Sequence, residues 1–246
     1  MKLAFSPCGS VLLLLVVLAP WLSGCATTPV DSAPKVHVAL NQALDARDCP
    51  AAVNALEAWE RSNPVPAQAR LETAFLCLVS DAPNPAFEQS LRFIQAFPSH
   101  PDLDYGFYLR AMARYGSWKA LHSDGAVPEP RRDIALARES FILFRELVQR
   151  FPDTRYRDEV AIHLMALREG MAAAEILQAR AQLDQGNPRQ ALARAEYVRE
   201  HFGSTQALAD ALAVMVEAHR ALGQSDAADR ARRQLEVRFP DREMTP

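Results

Sequence analysis

The chain has no apolar run long enough to stay in a membrane. Its one sustained aliphatic stretch, Val11 to Leu22, is shorter than the roughly 20 residues that span a bilayer. It has no cationic excess either. A formal net charge of −3 argues against nucleic acid as a partner, because backbone phosphates are held by clustered Lys and Arg. Sites for chemistry are missing as well: there is no His-Glu-x-x-His, no Gly-x-Ser-x-Gly and no glycine-rich phosphate loop. The histidines at 37, 100, 122, 163, 201 and 219 are scattered, so no catalytic residue, metal site or cofactor is expected. Cysteine is scarce, with four residues in the whole chain.

The first segment that is present explains two of those cysteines. Lys2 precedes the apolar run, and Ser23, Gly24 and Cys25 follow it, which are the parts of an export signal. Leu22-Ser23-Gly24-Cys25 resembles the lipobox of bacterial lipoproteins. That resemblance implies cleavage before Cys25, acylation of Cys25, and a tether over residues 25–35 rich in Thr, Ser, Pro and Ala. An ordinary signal peptide followed by a chance cysteine is the alternative. Ala26 stands where an Asp would resemble an inner-membrane retention signal, so the resemblance points to the periplasmic face of the outer membrane. Losing residues 1–24 removes one positive charge, Lys2, and no acid, so the mature charge moves from −3 to −4. It also discards Cys8, leaving Cys49 and Cys77 in an oxidising compartment. These two either form a disulfide closing a loop of about 28 residues or stay as buried free thiols.

The rest of the chain repeats. Amphipathic runs end at Asn63-Pro64, Phe97-Pro98, Phe151-Pro152, Phe202-Gly203 and Phe239-Pro240, with intervals of 34 residues from Pro64 to Pro98 and 37 from Gly203 to Pro240. That is the tetratricopeptide (TPR) period. Twelve residues before each terminator stands a small residue: Ala52, Ala86, Ser140, Ala191 or Ala228. Five before it stands an apolar one: Trp59, Phe93, Leu147, Val198 or Leu235. An unrelated helical bundle would have to place both series in register by accident. The expected fold is therefore all-α, a TPR-like α-solenoid of about five helical hairpins behind a lipoprotein signal peptide. Repeats one to three fall in 36–152 with a loop at 116–132, and repeats four and five in 153–240, with an extra or extended helix over Tyr156 to Glu169. A tail follows at 241–246. Gly186-Asn187-Pro188 and Leu222-Gly223-Gln224 read as turns between paired helices, and Cys49 reads as the end of the first helix of repeat one, with Cys77 late in the first helix of repeat two.

His100-Pro101-Asp102-Leu103-Asp104-Tyr105-Gly106-Phe107-Tyr108-Leu109-Arg110-Ala111 resembles the HPxxDYxxYxRG segment of the BamD family, TPR lipoproteins of the β-barrel assembly machinery. Phe144 to Tyr156 and Ala211 to Gly223 resemble two further landmarks of that family. The resemblance implies a non-enzymatic adaptor on the periplasmic face of the outer membrane, held there by a lipid anchor. Its C-terminal repeats would dock a barrel subunit bearing POTRA domains, and its N-terminal repeats would receive unfolded outer-membrane proteins. It also implies that Arg194, on the second helix of the fourth pair, contacts the POTRA domain. A solvated helix residue is the plainer reading of Arg194.

Tyr105, Tyr108, Met112 and Tyr115 recur on one helix face, either as a peptide-binding stripe or as packing between repeats. Arg131-Arg132 and the Arg230 to Arg233 cluster could meet acidic partners or lipid headgroups, although such runs are commonly solvated helix faces. Two other functions fit a helical repeat protein. A different periplasmic TPR lipoprotein would recruit cell-wall hydrolases, and the helical superstructure of a lytic transglycosylase would be accompanied by a catalytic domain with an essential acid.

Overall fold

The structure, a computed structural model, describes residues 33–122 and 130–241. The signal segment, Cys25 and most of the tether, the centre of the long loop, and residues 242–246 lie outside the described residues. Within them are ten helices and no strand: α1 (Ala33–Asp45), α2 (Cys49–Glu60), α3 (Ala67–Val79), α4 (Pro83–Ala96), α5 (Leu103–Ala120), α6 (Pro130–Arg150), α7 (Arg157–Asp184), α8 (Pro188–His201), α9 (Ala207–Ala221) and α10 (Ser225–Arg238). Consecutive helices pair as five hairpins, and the second helix of each packs on the first helix of the next. This is a TPR-like α-solenoid.

The repeat positions explain the stacking. Ala52, Ala86, Ser140, Ala191 and Ala228 are all buried, letting the second helix of each pair approach the first. Trp59, Phe93, Leu147, Val198 and Leu235 are buried beside them and fill the space between hairpins. A single hairpin has too little apolar surface to fold alone, so each is stable only against its neighbour.

Four of the five hairpins close with the same bond pattern, in which a backbone N–H reaches the carbonyl five residues back. The pairs are Asp48 to Ala43, Ala82 to Cys77, Asn187 to Gln182 and Gln224 to His219, all at 2.8–2.9 Å. Such a closure needs a left-handed residue just before the donor. Gly186 (φ 74°) and Gly223 (φ 73°) supply it freely, whereas Arg47 (φ 54°) and Asp81 (φ 52°) do the same job at a steric cost.

Three boundaries differ from the sequence-based expectation. Residues 116–120 are helical, so the long connection starts at Leu121 and not at Gly116. The helix runs on because buried Trp118 anchors it, donating its indole N–H to buried Asp133 of α6. The residues expected to form an extra or extended helix are an extension: α7 is one continuous helix of 28 residues. Cys49 opens α2 and does not end α1. Pro50 suits a first helical turn, and the Asp48 carboxylate accepts the Ala51 N–H at 2.9 Å as the cap.

The interior divides in two. A long core runs from α3 to α10 through Phe93, Phe107, Phe144, Leu167, Leu212 and Leu235. A smaller one, around Leu40, Leu56, Trp59, Val65 and Leu76, serves the first hairpin and its seat on the second.

Candidate partner-binding surfaces

The first helices α3, α5, α7 and α9 line one side of the stack and frame an open groove of about 1790 Å³. Its wall carries Leu78 from α3, Met112 and Tyr115 from α5, and Ala173 and Leu177 from α7, so its character is apolar. Three of the acids along it, Asp133, Glu169 and Asp210, are already engaged. Asp210 pairs with Arg180 at 2.8 Å, and the Glu169 carboxylate accepts the Gln206 N–H at 3.0 Å, capping the entry to α9. Toward the N-terminal end of the stack, α3 leaves Phe75 and Val79 exposed, at 49 % and 58 % of their surface. The two lie one turn apart on the helix and so form one small exposed apolar patch.

The four-residue stripe on α5 splits. Met112 and Tyr115 line the groove. Tyr105 and Tyr108 are half-buried and stack with Tyr156 from the α6–α7 connection, with Tyr108 and Tyr156 ring centroids 4.2 Å apart and 14° between planes. The Tyr108 hydroxyl donates to Glu159 at 2.7 Å, and Arg155 Nε donates to the Tyr156 hydroxyl at 2.8 Å. Burial pushes the Tyr105 hydroxyl up to about 12. Burial, then the hydrogen bond to Glu159, raises that of Tyr108 further. Both stay protonated at neutral pH, and Tyr108 serves as a donor. Tyr105 and Tyr108 thus join the third hairpin to the fourth, with their outer edges open.

Arg194 projects from α8 toward α7, where its Nη1 lies 2.7 Å from Glu175 Oε2. Glu175 is largely covered, while 38 % of the Arg194 side chain is exposed. One arm of the guanidinium is held and the other side faces out. An oriented, partly free fork suits bidentate capture of a carboxylate.

Cys49 and Cys77 are joined by a disulfide, with Sγ atoms 2.02 Å apart, tying the start of α2 to the end of α3. Among the described residues no three His, Cys, Asp or Glu side chains are grouped to hold a metal ion, and no described helix is long and apolar enough to cross a membrane.

Several working residues carried no motif. Gly106 of α5 faces Phe93 so closely that a Cβ there would lie 2.4 Å from the ring, and Gly170 of α7 faces Trp118 at the same distance. Glu60 at the end of α2 binds Arg70 of α3 at 2.6 Å and Arg92 of α4 at 2.8 Å. The spacing of a single sequence shows none of these, because each depends on which two helices cross.

Comparison with known proteins agrees with this architecture. A family model described as "YfiO: Outer membrane lipoprotein" matches residues 31–235. An outer membrane protein assembly factor BamD from Neisseria meningitidis serogroup A is 29 % identical over 243 residues, covering 93 % of this chain and 91 % of the relative. BamD of Vibrio cholerae is 23 % identical over 225 residues, 88 % of this chain and 93 % of its own. That of Caulobacter vibrioides is 26 % identical over 200 residues, 80 % and 63 % respectively.

Proposed function

Because the chain belongs to the YfiO family of outer membrane lipoproteins, we propose that it is a BamD-type adaptor in the assembly of outer-membrane β-barrel proteins. The observation that carries this reading is a helical stack with two different contact surfaces. The relatives named as outer membrane protein assembly factors match it along nearly its whole length.

Acylation at Cys25 holds the molecule at the periplasmic face of the outer membrane. The eight residues of that tether ahead of α1, 25–32, can reach at most about 27 Å, at roughly 3.4 Å per residue, so α1 stays near the bilayer. The C-terminal repeats dock the POTRA-bearing barrel subunit, with Arg194 gripping a carboxylate of that domain. The exposed Phe75 and Val79 and the apolar groove receive unfolded barrel segments, whose lipid-facing side chains need cover before insertion. Tyr105 and Tyr108 contribute through their open edges and otherwise keep the groove walls in register. Adaptors of this kind act through effective concentration: two partners held on one rigid frame meet far more often than free ones. No reaction is required of the chain itself.

Purification of the tagged protein from detergent-solubilised envelopes tests the reading. Recovery of a large POTRA-bearing barrel protein in stoichiometric amount is expected. Cell-wall hydrolases in its place would assign the chain to the other class of periplasmic TPR scaffold.

A further inference from the structure

The last helix carries two polar faces, and only one is explained by the fold. Aligned on Phe202-Gly203 and Phe239-Pro240, the α8 positions Leu192, Ala195 and Arg199 correspond to Asp229, Arg232 and Glu236 of α10. On α8 that row includes partly and fully buried residues at Leu192 and Ala195. On α10 it is an ion-paired row, with Arg232 2.8 Å from Asp229 and 3.8 Å from Glu236. A solenoid needs such a polar terminal face to stop stacking. There the one cation is matched by two acids, and the purpose of that face is met.

The adjacent face is not balanced. Arg230, Arg233, Gln234, Val237 and Arg238 line a shallow depression of about 380 Å³ built from this one helix. None of the three arginines has an ion-pair or hydrogen-bond partner among the described residues. Asp229 and Glu236, the acids nearest in sequence, are turned to Arg232, and neither Asp226 nor Asp241 pairs with the row. Val237 stands among them 81 % exposed, the most exposed large apolar side chain described. Like charges one turn apart on a helix repel, so the row weakens α10 slightly and gives the isolated fold nothing in return. At 1.5 Å per residue the arginines span about 12 Å, with no wall from a second element to clasp a peptide. An open cationic row with one apolar tooth matches a planar anionic surface.

We propose that this face of α10 rests on the anionic phospholipid headgroups of the membrane, as a second attachment point remote in sequence from the acylated N-terminus. Arginine forks bind phosphodiester oxygens and Val237 enters the headgroup layer. Each arginine near an anionic bilayer contributes roughly fivefold in partitioning, so the three together give on the order of a hundredfold. That suffices only for a protein already held near the bilayer. With both ends attached, the solenoid lies along the membrane, where the orientation of its groove is set.

The test uses the full mature chain, whose one thiol outside the Cys49–Cys77 bridge, Cys25, is coupled to a maleimide lipid in vesicles. This supplies the anchor whatever acylation occurs in the cell. Phenylglyoxal modification of the α10 arginines is then followed by mass spectrometry on vesicles of phosphatidylcholine alone or with about a third phosphatidylglycerol. Expected is modification of Arg230 and Arg233 at least about fivefold slower on the anionic vesicles, restored by about 0.5 M salt, with exposed Arg145 of α6 unaffected. Equal rates on the two compositions would overturn the proposal. So would protection that appears only when an acidic partner protein is added, which would make the row a protein contact.

Discussion

The first hairpin and the last two solve the same problem with different means. From α7 to α10 the helices meet through small buried residues, Ala172, Ala174, Ala179, Ala209, Ala211 and Ala218, and nine residues of α9 are buried. Those hairpins share the long core and need no cross-link. The first hairpin has its own small core and the sparsest seat of any hairpin on the next. It is held by a disulfide at one end of the α2–α3 junction and by Glu60, Arg70 and Arg92 at the other. Dense apolar packing makes a region cooperative, whereas covalent and ionic clamps hold a region that packing alone would release. The clamped end is the one proposed to carry the lipid tether and to receive clients. The packed end is the one proposed to dock.

Substitutions should separate the two regions. Phe107→Ala empties a fully buried site in the long core, and a loss of about 3–5 kcal/mol with a single lowered melting transition is expected. A melt that splits in two would deny the long core its unity. Next in size is removal of the bridge by the paired change Cys49→Ser and Cys77→Ser. A closed loop of this length is worth roughly 3–4 kcal/mol in the chain-entropy account. Hydrogen exchange should accelerate in α1 and α2 and leave α7 to α10 unchanged; acceleration throughout would erase the distinction. In non-reducing conditions the unfolded wild-type protein should take up no alkyl group at either cysteine.

Gly106→Ala tests packing on the other side of the boundary. The new methyl meets the Phe93 ring, and about 1–3 kcal/mol should be lost as the ring and α4 shift. Unchanged stability would mean that the ring moves freely. The smallest expected effect is a pH dependence confined to the clamped end. Burial raises the Glu60 carboxyl, but the hydrogen bond and charge of Arg70, with Arg92, outweigh it and hold it below its ordinary value of 4.5. A lowered folded pKa contributes stability that is present above the unfolded value and fades as pH falls through the folded one. The first hairpin should therefore loosen on acidification below about pH 4, and Glu60→Gln should remove that dependence. An identical acid response in the variant would assign it to other carboxylates.

How much of this the sequence discloses depends on whether a feature is local. The terminators and the small and large positions recur within each helix pair, so the solenoid and its five hairpins are legible from spacing. Turn closure is half legible: Gly186 and Gly223 announce themselves, but Arg47 and Asp81 adopt the same left-handed conformation with side chains that do not advertise it. The length of α5 was obscured because Gly116 and Ser117 favour loops, while the contact that keeps them helical, Trp118 to Asp133, spans the connection. For the surfaces, Tyr105 and Tyr108 stood out by their helical spacing, and Arg194 by resemblance alone. Their stacking on Tyr156 and pairing with Glu175 are long-range geometry. Phe75 and Val79 escaped notice because, in one sequence, an exposed apolar residue on an amphipathic helix looks like a buried one.

The division of labour between the two ends is tested most directly by photo-crosslinking in cells, with a photoreactive residue placed at Phe75 in one strain and at Arg194 in another. The account predicts newly exported barrel proteins captured from position 75 and a POTRA-bearing subunit captured from position 194. Clients captured at 194 with the POTRA subunit at 75, or the same partner at both, would contradict it.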